Sequence, residues 1–220
     1  MNSTNFKMHG CHGCHGGFQS GSGCQSAGSG KINCTVVGPF RAIDAACIIP
    51  PANKGTIIPF SSGLVPAVLT SIAGGLVGTT SLVGFGTSIP GVTILGNTID
   101  LTSLLNEAFT VPRAGNLTAI SASFSVAAAV AVAGTITVKA QVYRAPAGSN
   151  IYTATGATVD LAPSLVGPLA IGAITFGSAS IPAVPVAVGD NLVMVFSITA
   201  TGLTLINAVT GNASAGLTIE

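Results

Sequence analysis

The chain has 220 residues, enough for one large domain, or for one domain of about 165 residues with an extension, and enough to bury a full hydrophobic core. It carries 7 Lys and Arg and 6 Asp and Glu, 6% of its residues against roughly 25% in ordinary soluble domains. Charge this sparse excludes a basic, aromatic-studded nucleic-acid surface, supplies little like-charge repulsion to keep copies apart, and leaves serine, threonine, asparagine, glycine and small apolar groups to cover the outside.

In chain order, residues 1–50 read as a connector arm and residues 51–220 as a folded body. From 9 to 30 the arm is built almost entirely of Gly, Ser, Cys, His and Gln, without apolar periodicity, which predicts no regular structure of its own. From Ile32 to Ile49 the residues Val36, Val37, Phe40, Ile43, Ile48 and Ile49 recur, a texture suited to an extended segment that pairs with a sheet edge before Pro50 and Pro51 close it. Met1 to Gly23 is polar and glycine-rich, unlike a secretory leader, so the expectation is a protein that leaves its cell by another route, such as lysis. The longest apolar run, Val126–Ala133, is far too short for a membrane span.

Within the body, Thr56–Phe60 and Leu64–Ser71 read as short strands. Glycines and Pro90 break Gly74–Gly96 every few residues, which predicts short strands and turns there. Leu101–Ala108 has room for a helix of one or two turns. Further strands are predicted over Glu107–Val111, Leu117–Val126, Thr135–Tyr143, Thr158–Ala162, Leu169–Phe176, Ile181–Val188, Leu192–Thr199 and Ala215–Ile219. The alternation is clearest in Thr135–Tyr143, where Ile136, Val138, Ala140 and Val142 face one way and Thr135, Thr137, Lys139, Gln141 and Tyr143 the other. Val126–Ala133 is expected to be strand rather than helix. Turns are expected at 114–116, 147–150, 189–191 and 210–212, each rich in Gly, Asn, Asp or Ser. Many short strands at this spacing predict an all-β, jelly-roll β-sandwich preceded by the Cys/Gly-rich arm.

The body also resembles a known family. The carrying stretches are Gly55-Thr-Ile-Ile-Pro-Phe-Ser-Ser-Gly63, Gly75-Leu-Val-Gly78, Val83-Gly-Phe-Gly86, Ala108-Phe-Thr-Val-Pro-Arg113 and Ala140-Gln-Val-Tyr-Arg-Ala-Pro-Ala-Gly-Ser-Asn150. They continue through Leu161-Ala-Pro163, Val188-Gly-Asp190, Val195-Phe-Ser197 and Gly202-Leu-Thr-Leu205 to Ala213-Ser-Ala-Gly-Leu-Thr-Ile219. Over residues 55–220 this texture is similar to the carboxy-terminal domain of the collagen-like exosporium glycoprotein BclB family. The resemblance implies a spore-surface protein of an endospore-forming bacterium with a jelly-roll body. Where those relatives carry a Gly-X-Y stalk, this chain has the cysteine arm, an arrangement that resembles endospore appendage subunits.

All five cysteines, Cys11, Cys14, Cys24, Cys34 and Cys47, lie in the arm, so none can staple the body's core. An odd number of thiols favours at least one bond to another chain, making all five candidates for cross-linking neighbouring subunits. Two other chemistries compete for the same residues. Cys11-His12-Gly13-Cys14-His15 spells the covalent haem pattern, although attachment requires export, and a Cys/His/Gly repeat produces such a match by chance. His9, Cys11, His12, Cys14 and His15 offer zinc ligands, with Cys11 and Cys14 suitably paired and His12 pointing elsewhere. The expected cofactor complement is none. Gly28-Ser29-Gly30-Lys31 lacks the first glycine and the hydroxyl of a phosphate loop.

The body has neither His nor Cys, which removes most nucleophilic, acid–base and metal schemes, so an enzyme is not expected. Asp190 is expected to cap turn amides, Asp100 and Asp160 to face solvent or bond locally, and Glu107 and Arg113 to pair at the surface. Tyr143, Tyr152 and the Phe residues 85, 109, 124, 176 and 196 are expected in the core or at its edges. The reading that follows is a self-assembling structural subunit of a spore surface layer or appendage, with itself and other exosporium or coat proteins as partners and no membrane span. The alternative is a glycan-binding adhesin head, for which Tyr143–Tyr152 supplies the one candidate aromatic loop.

Overall fold

A computed structural model describes residues 55–104, 107–128, 132, 134–201 and 206–220. The arm, with every cysteine and histidine, lies outside them. Among the described residues the chain forms strands and no helix. In order they are β1 (Thr56–Ser61), β2 (Ala67–Thr70), β3 (Thr79–Val83), β4 (Ser88–Thr93), β5 (Thr98–Asp100), β6 (Phe109–Thr110) and β7 (Gly115–Val126). Then come β8 (Thr135–Ala145), β9 (Ile151–Asp160), β10 (Leu165–Val166), β11 (Ile174–Val186), β12 (Asn191–Thr201) and β13 (Ala208–Ile219).

The strands make two antiparallel sheets. One has the order β1-β13-β7-β11, with β2 continuing beside β13 where β1 stops; the other has the order β4-β3-β12-β8-β9-β5, with β6 and β10 as short additions. The long strands β11, β12 and β13 alternate between the sheets, and the first strand lies beside the last. This is a jelly-roll sandwich, as the strand spacing predicts.

Period-two alternation drives the packing. In β8, Ile136, Val138, Ala140 and Val142 are buried between the sheets, where they meet Leu192, Met194, Phe196 and Ile198 of β12. The facing sheet contributes Leu117, Ile120, Phe124, Leu217 and Ile219. A second cluster lies on the other side of the β8 sheet, where Tyr143, Tyr152, Val193 and Val195 pack with Leu82, Val92, Ile99 and Leu101. The outer face of that sheet is thus partly roofed by the chain's own Val92–Leu101 region.

Several expectations need correction. Leu101–Ala108 forms no helix among its described residues. Asp100 Oδ1 accepts the Thr102 amide (2.8 Å) and hydroxyl, a local turn that competes with helix, while Leu101 is held in the outer cluster. The expected turn at 210–212 is inside β13: a Cβ on Gly211 would overlap the Phe124 ring, so this glycine permits close approach rather than a bend. Gly115 likewise opens β7 instead of sitting in a turn. The two strands expected over Leu169–Phe176 and Ile181–Val188 are one strand, β11, whose register with β7 shifts between Ser180 and Val184. β9 begins at Ile151 rather than Thr158, and the strand expected at Glu107–Val111 shrinks to β6. Of Val126–Ala133, only Val126 among the described residues is strand.

Candidate functional site

The most distinctive surface is the outer face of the β1-β13-β7-β11 sheet. Backbone pairing aligns its outward side chains into rows across four strands. One row runs Ser61, Ser214, Ser123, Phe176; the next, Pro59, Gly216, Ser121, Ser178; the next, Ile57, Thr218, Ala119, Ser180. A fourth joins Asn212, Ser125 and Ile174. None of these residues carries a charge. Hydroxyls link neighbouring strands, Ser121 to Ser178 at 2.7 Å and Ser123 to Ser214 at 3.2 Å. Short side chains keep the middle of the face low, while exposed Ile57 stands at one edge and Ile174 and Phe176 at the other.

The last two residues show that this is more than a polar coat. β11 reads Ile174-Thr175-Phe176, and pairing of Phe176 with Ser123 turns the threonine inward and both large apolar residues outward. Thr175 is fully buried, and its hydroxyl has no hydrogen-bond partner among the described residues, whereas Phe176 is 64% exposed. A folding chain gains nothing from that orientation in isolation. Phe176 therefore departs from the expected place in the core or at its edges, whereas Phe85, 54% exposed, stacks on buried Phe60 with ring centroids 5.4 Å apart, at the edge of the core. Phe124 and Phe196 are core residues, and Phe109 is half-buried.

The charged side chains of the described residues lie off these rows, with Glu220 standing just beyond Thr218 at the end of β13. Lys139 and Asp160 pair at 3.5 Å across β8 and β9. Arg144 Nε lies 2.7 Å from Oδ2 of buried Asp190, a close ionic contact without the alignment of a hydrogen bond. The same Oδ2 accepts the Ala187 amide at 2.8 Å, so Asp190 caps its turn as its Gly-Asp-Asn setting suggests. Thr102's hydroxyl and amide hold the Asp100 carboxyl below the usual carboxylate range. Burial pushes Glu107 above it, and Glu107 does not pair with Arg113.

Cys11, Cys14, Cys24, Cys34 and Cys47, and His9, His12 and His15, all lie outside the described residues, as do the zinc and haem arrangements drawn from them. Among the described residues no group of three His, Cys, Asp or Glu side chains could hold a metal, and no helix is long and apolar enough to cross a membrane. Tyr143 and Tyr152 are buried, which removes the aromatic loop expected of a glycan-binding head. The serine rows went unread in the sequence, although Ser121, Ser123 and Ser125 recur at every second position and so do Ser178 and Ser180.

Fold and face together define an all-β jelly-roll domain with one sheet face whose rows, among the described residues, carry no charge. In sequence it is similar to Collagen-like protein 1 of Acanthamoeba polyphaga mimivirus, 33% identical over 178 residues. That match covers 76% of this chain and 19% of the viral protein, so the chain spans about a fifth of the length of the curated relative it matches. No protein-family profile matches the chain. Among solved structures, the Eiger TNF of S. frugiperda aligns with a TM-score of 0.34 at 10% identity, covering 76% of this chain and 93% of that one. The infectious bursal disease virus Gt strain structure aligns with a TM-score of 0.37 at 13% identity, covering 83% and 38%. The VP2 subviral particle of infectious bursal disease virus gives 0.35 at 10% identity, covering 82% and 37%.

Proposed function

We propose that this chain is a non-enzymatic structural subunit that assembles with copies of itself, packing through the charge-free face of the β1-β13-β7-β11 sheet. The observation that carries this reading is the orientation of β11, which buries a Thr175 hydroxyl without a partner among the described residues while presenting Ile174 and Phe176 to the outside. A second copy lying on that face returns the lost apolar burial, and rows of serine and glycine let two sheets approach closely. The body corresponds to the jelly-roll domain 51–220, and residues 1–50 are the connector. In the connector, Cys11, Cys14, Cys24, Cys34 and Cys47 form disulfides to neighbouring subunits, with Ile32–Phe40 available for strand addition. Covalent links resist the dilution that dissolves a non-covalent polymer.

The collagen-like relative supports a structural role, and the resemblance to the BclB family supports a place at the surface of bacterial endospores, in exosporium or appendage. Electron microscopy of the purified full chain, with and without reducing agent, tests the reading. Ordered polymers that survive dilution under oxidising conditions, and loosen when reduced, are expected. Compact monomers in both conditions would refute it.

A further inference from the structure

Between Ser61 and Ala67 the chain leaves the edge of the first sheet, and this excursion is stitched to the loop that joins β3 and β4. The Ser61 amide donates to Gly84 O and the Gly86 amide to Ser61 O, each at 2.8 Å, and Ser88 Oγ donates to Val65 O at 2.8 Å. At Gly63, with φ 58°, a Cβ would overlap the carbonyl of Gly86, so the two loops touch backbone to backbone. This fixed platform presents Leu64 at 98% exposure, with Val65 and Phe85 beside it. Glu107 lies against Gly84 and has no ion-pair or hydrogen-bond partner among the described residues. The result is an apolar knob flanked by one carboxylate.

The opposite edge, where β11 lies against β9, holds a cleft of about 370 Å³ lined by Arg144, Pro146, Thr153, Ala154, Thr155 and Val184. Two irregularities open it: the register shift of β11 before Val184, and that of β9 against β8 between Gln141 and Tyr143. Its charged member is Arg144. Nη1 donates to Pro185 O at 3.1 Å and Nε contacts Asp190, leaving Nη2 without a partner among the described residues.

We infer that the Leu64 knob of one copy seats in the Arg144 cleft of the next, bringing the first copy's Glu107 beside the second copy's Arg144. In a body with so few charges, an apolar knob flanked by a carboxylate and an apolar cleft that presents the Nη2 edge of Arg144, its Nε already against Asp190, form a complementary pair. They lie on opposite edges of the sandwich, separated by the width of a four-stranded sheet, so a body cannot fill its own cleft. A contact between unlike surfaces propagates from copy to copy, closing as a ring or continuing as a fibre. This contact rests on the self-assembly reading and names a second surface for it.

The test uses the full chain in reducing buffer, so that disulfides play no part, with sedimentation velocity as the readout. Leu64→Asp disables the knob, and Thr153→Trp fills the cleft from an exposed strand position. Circular dichroism checks that both variants fold. Each variant alone should self-associate about tenfold or more weakly than the parent. A one-to-one mixture should associate more strongly than either alone, because each variant supplies the surface the other lacks. Variants that associate as tightly as the parent would overturn this contact while leaving self-assembly standing. A parent chain that stays monomeric at every concentration would overturn both.

Discussion

Replacing Thr175 by valine should stabilise the body. The side chain is fully buried, its hydroxyl has no hydrogen-bond partner among the described residues, and valine keeps the branched shape that β11 already accommodates. Burying a hydroxyl without compensation costs about 1–3 kcal/mol, and valine replaces it with a methyl suited to the buried side of β11. A net gain of about 1–2 kcal/mol follows, which for a body of roughly 165 residues is a rise in melting temperature of about 2–8 °C. Urea unfolding of the full chain in reducing buffer should show a higher midpoint and an unchanged slope. Thr175→Ser, which retains the hydroxyl and loses the methyl, should move the midpoint the other way. A lower midpoint for the valine variant would mean that the hydroxyl is satisfied and that the orientation of β11 carries no such cost.

Gly211→Ala should destabilise by about 1–3 kcal/mol, since its Cβ would collide with the buried Phe124 ring and the Ser125 carbonyl; scanning calorimetry reads the loss, and an unchanged melt would refute close approach as the reason for this glycine. Glu107→Gln should raise the melting temperature at neutral pH and converge with the parent in acid, measured on dilute protein. Burial raises the folded-state pKa of Glu107, so its stabilising contribution is present below the unfolded value and lost as pH rises through the folded one. A glutamine variant that is less stable than the parent at neutral pH would contradict that sign.

The jelly roll was legible because its central strands obey one rule. In β8 each second residue is apolar, and burial follows that alternation from Ile136 to Val142. The rule failed where tertiary contacts outweigh local signals. Gly211 looks like a turn residue until Phe124 is seen across the strand pair, and residues 177–180 look like a break until β7 is found pairing straight through them. Leu101–Ala108 has helical composition, yet Leu101 is claimed by a cluster on the outer sheet face and Asp100 by Thr102. The assembly face was the least legible. Its signal lies in the absence of charge at positions on four strands that are distant in sequence, and only the pairing register shows that they share a surface. Leu64 illustrates the same limit, since within the predicted strand Leu64–Ser71 nothing distinguishes an exposed knob from a core residue.

If the uncharged sheet face holds copies together, a charge placed at its middle should part them. Ser123→Lys adds an ammonium between Ser214 and Phe176, and Thr137→Lys places the same group on the outer face of the other sheet as a control. Sedimentation velocity across a concentration series in reducing buffer should show the Ser123 variant folded but associating at least about tenfold more weakly than the parent, with the Thr137 variant unchanged. Equal association of the parent and the Ser123 variant would contradict the claim.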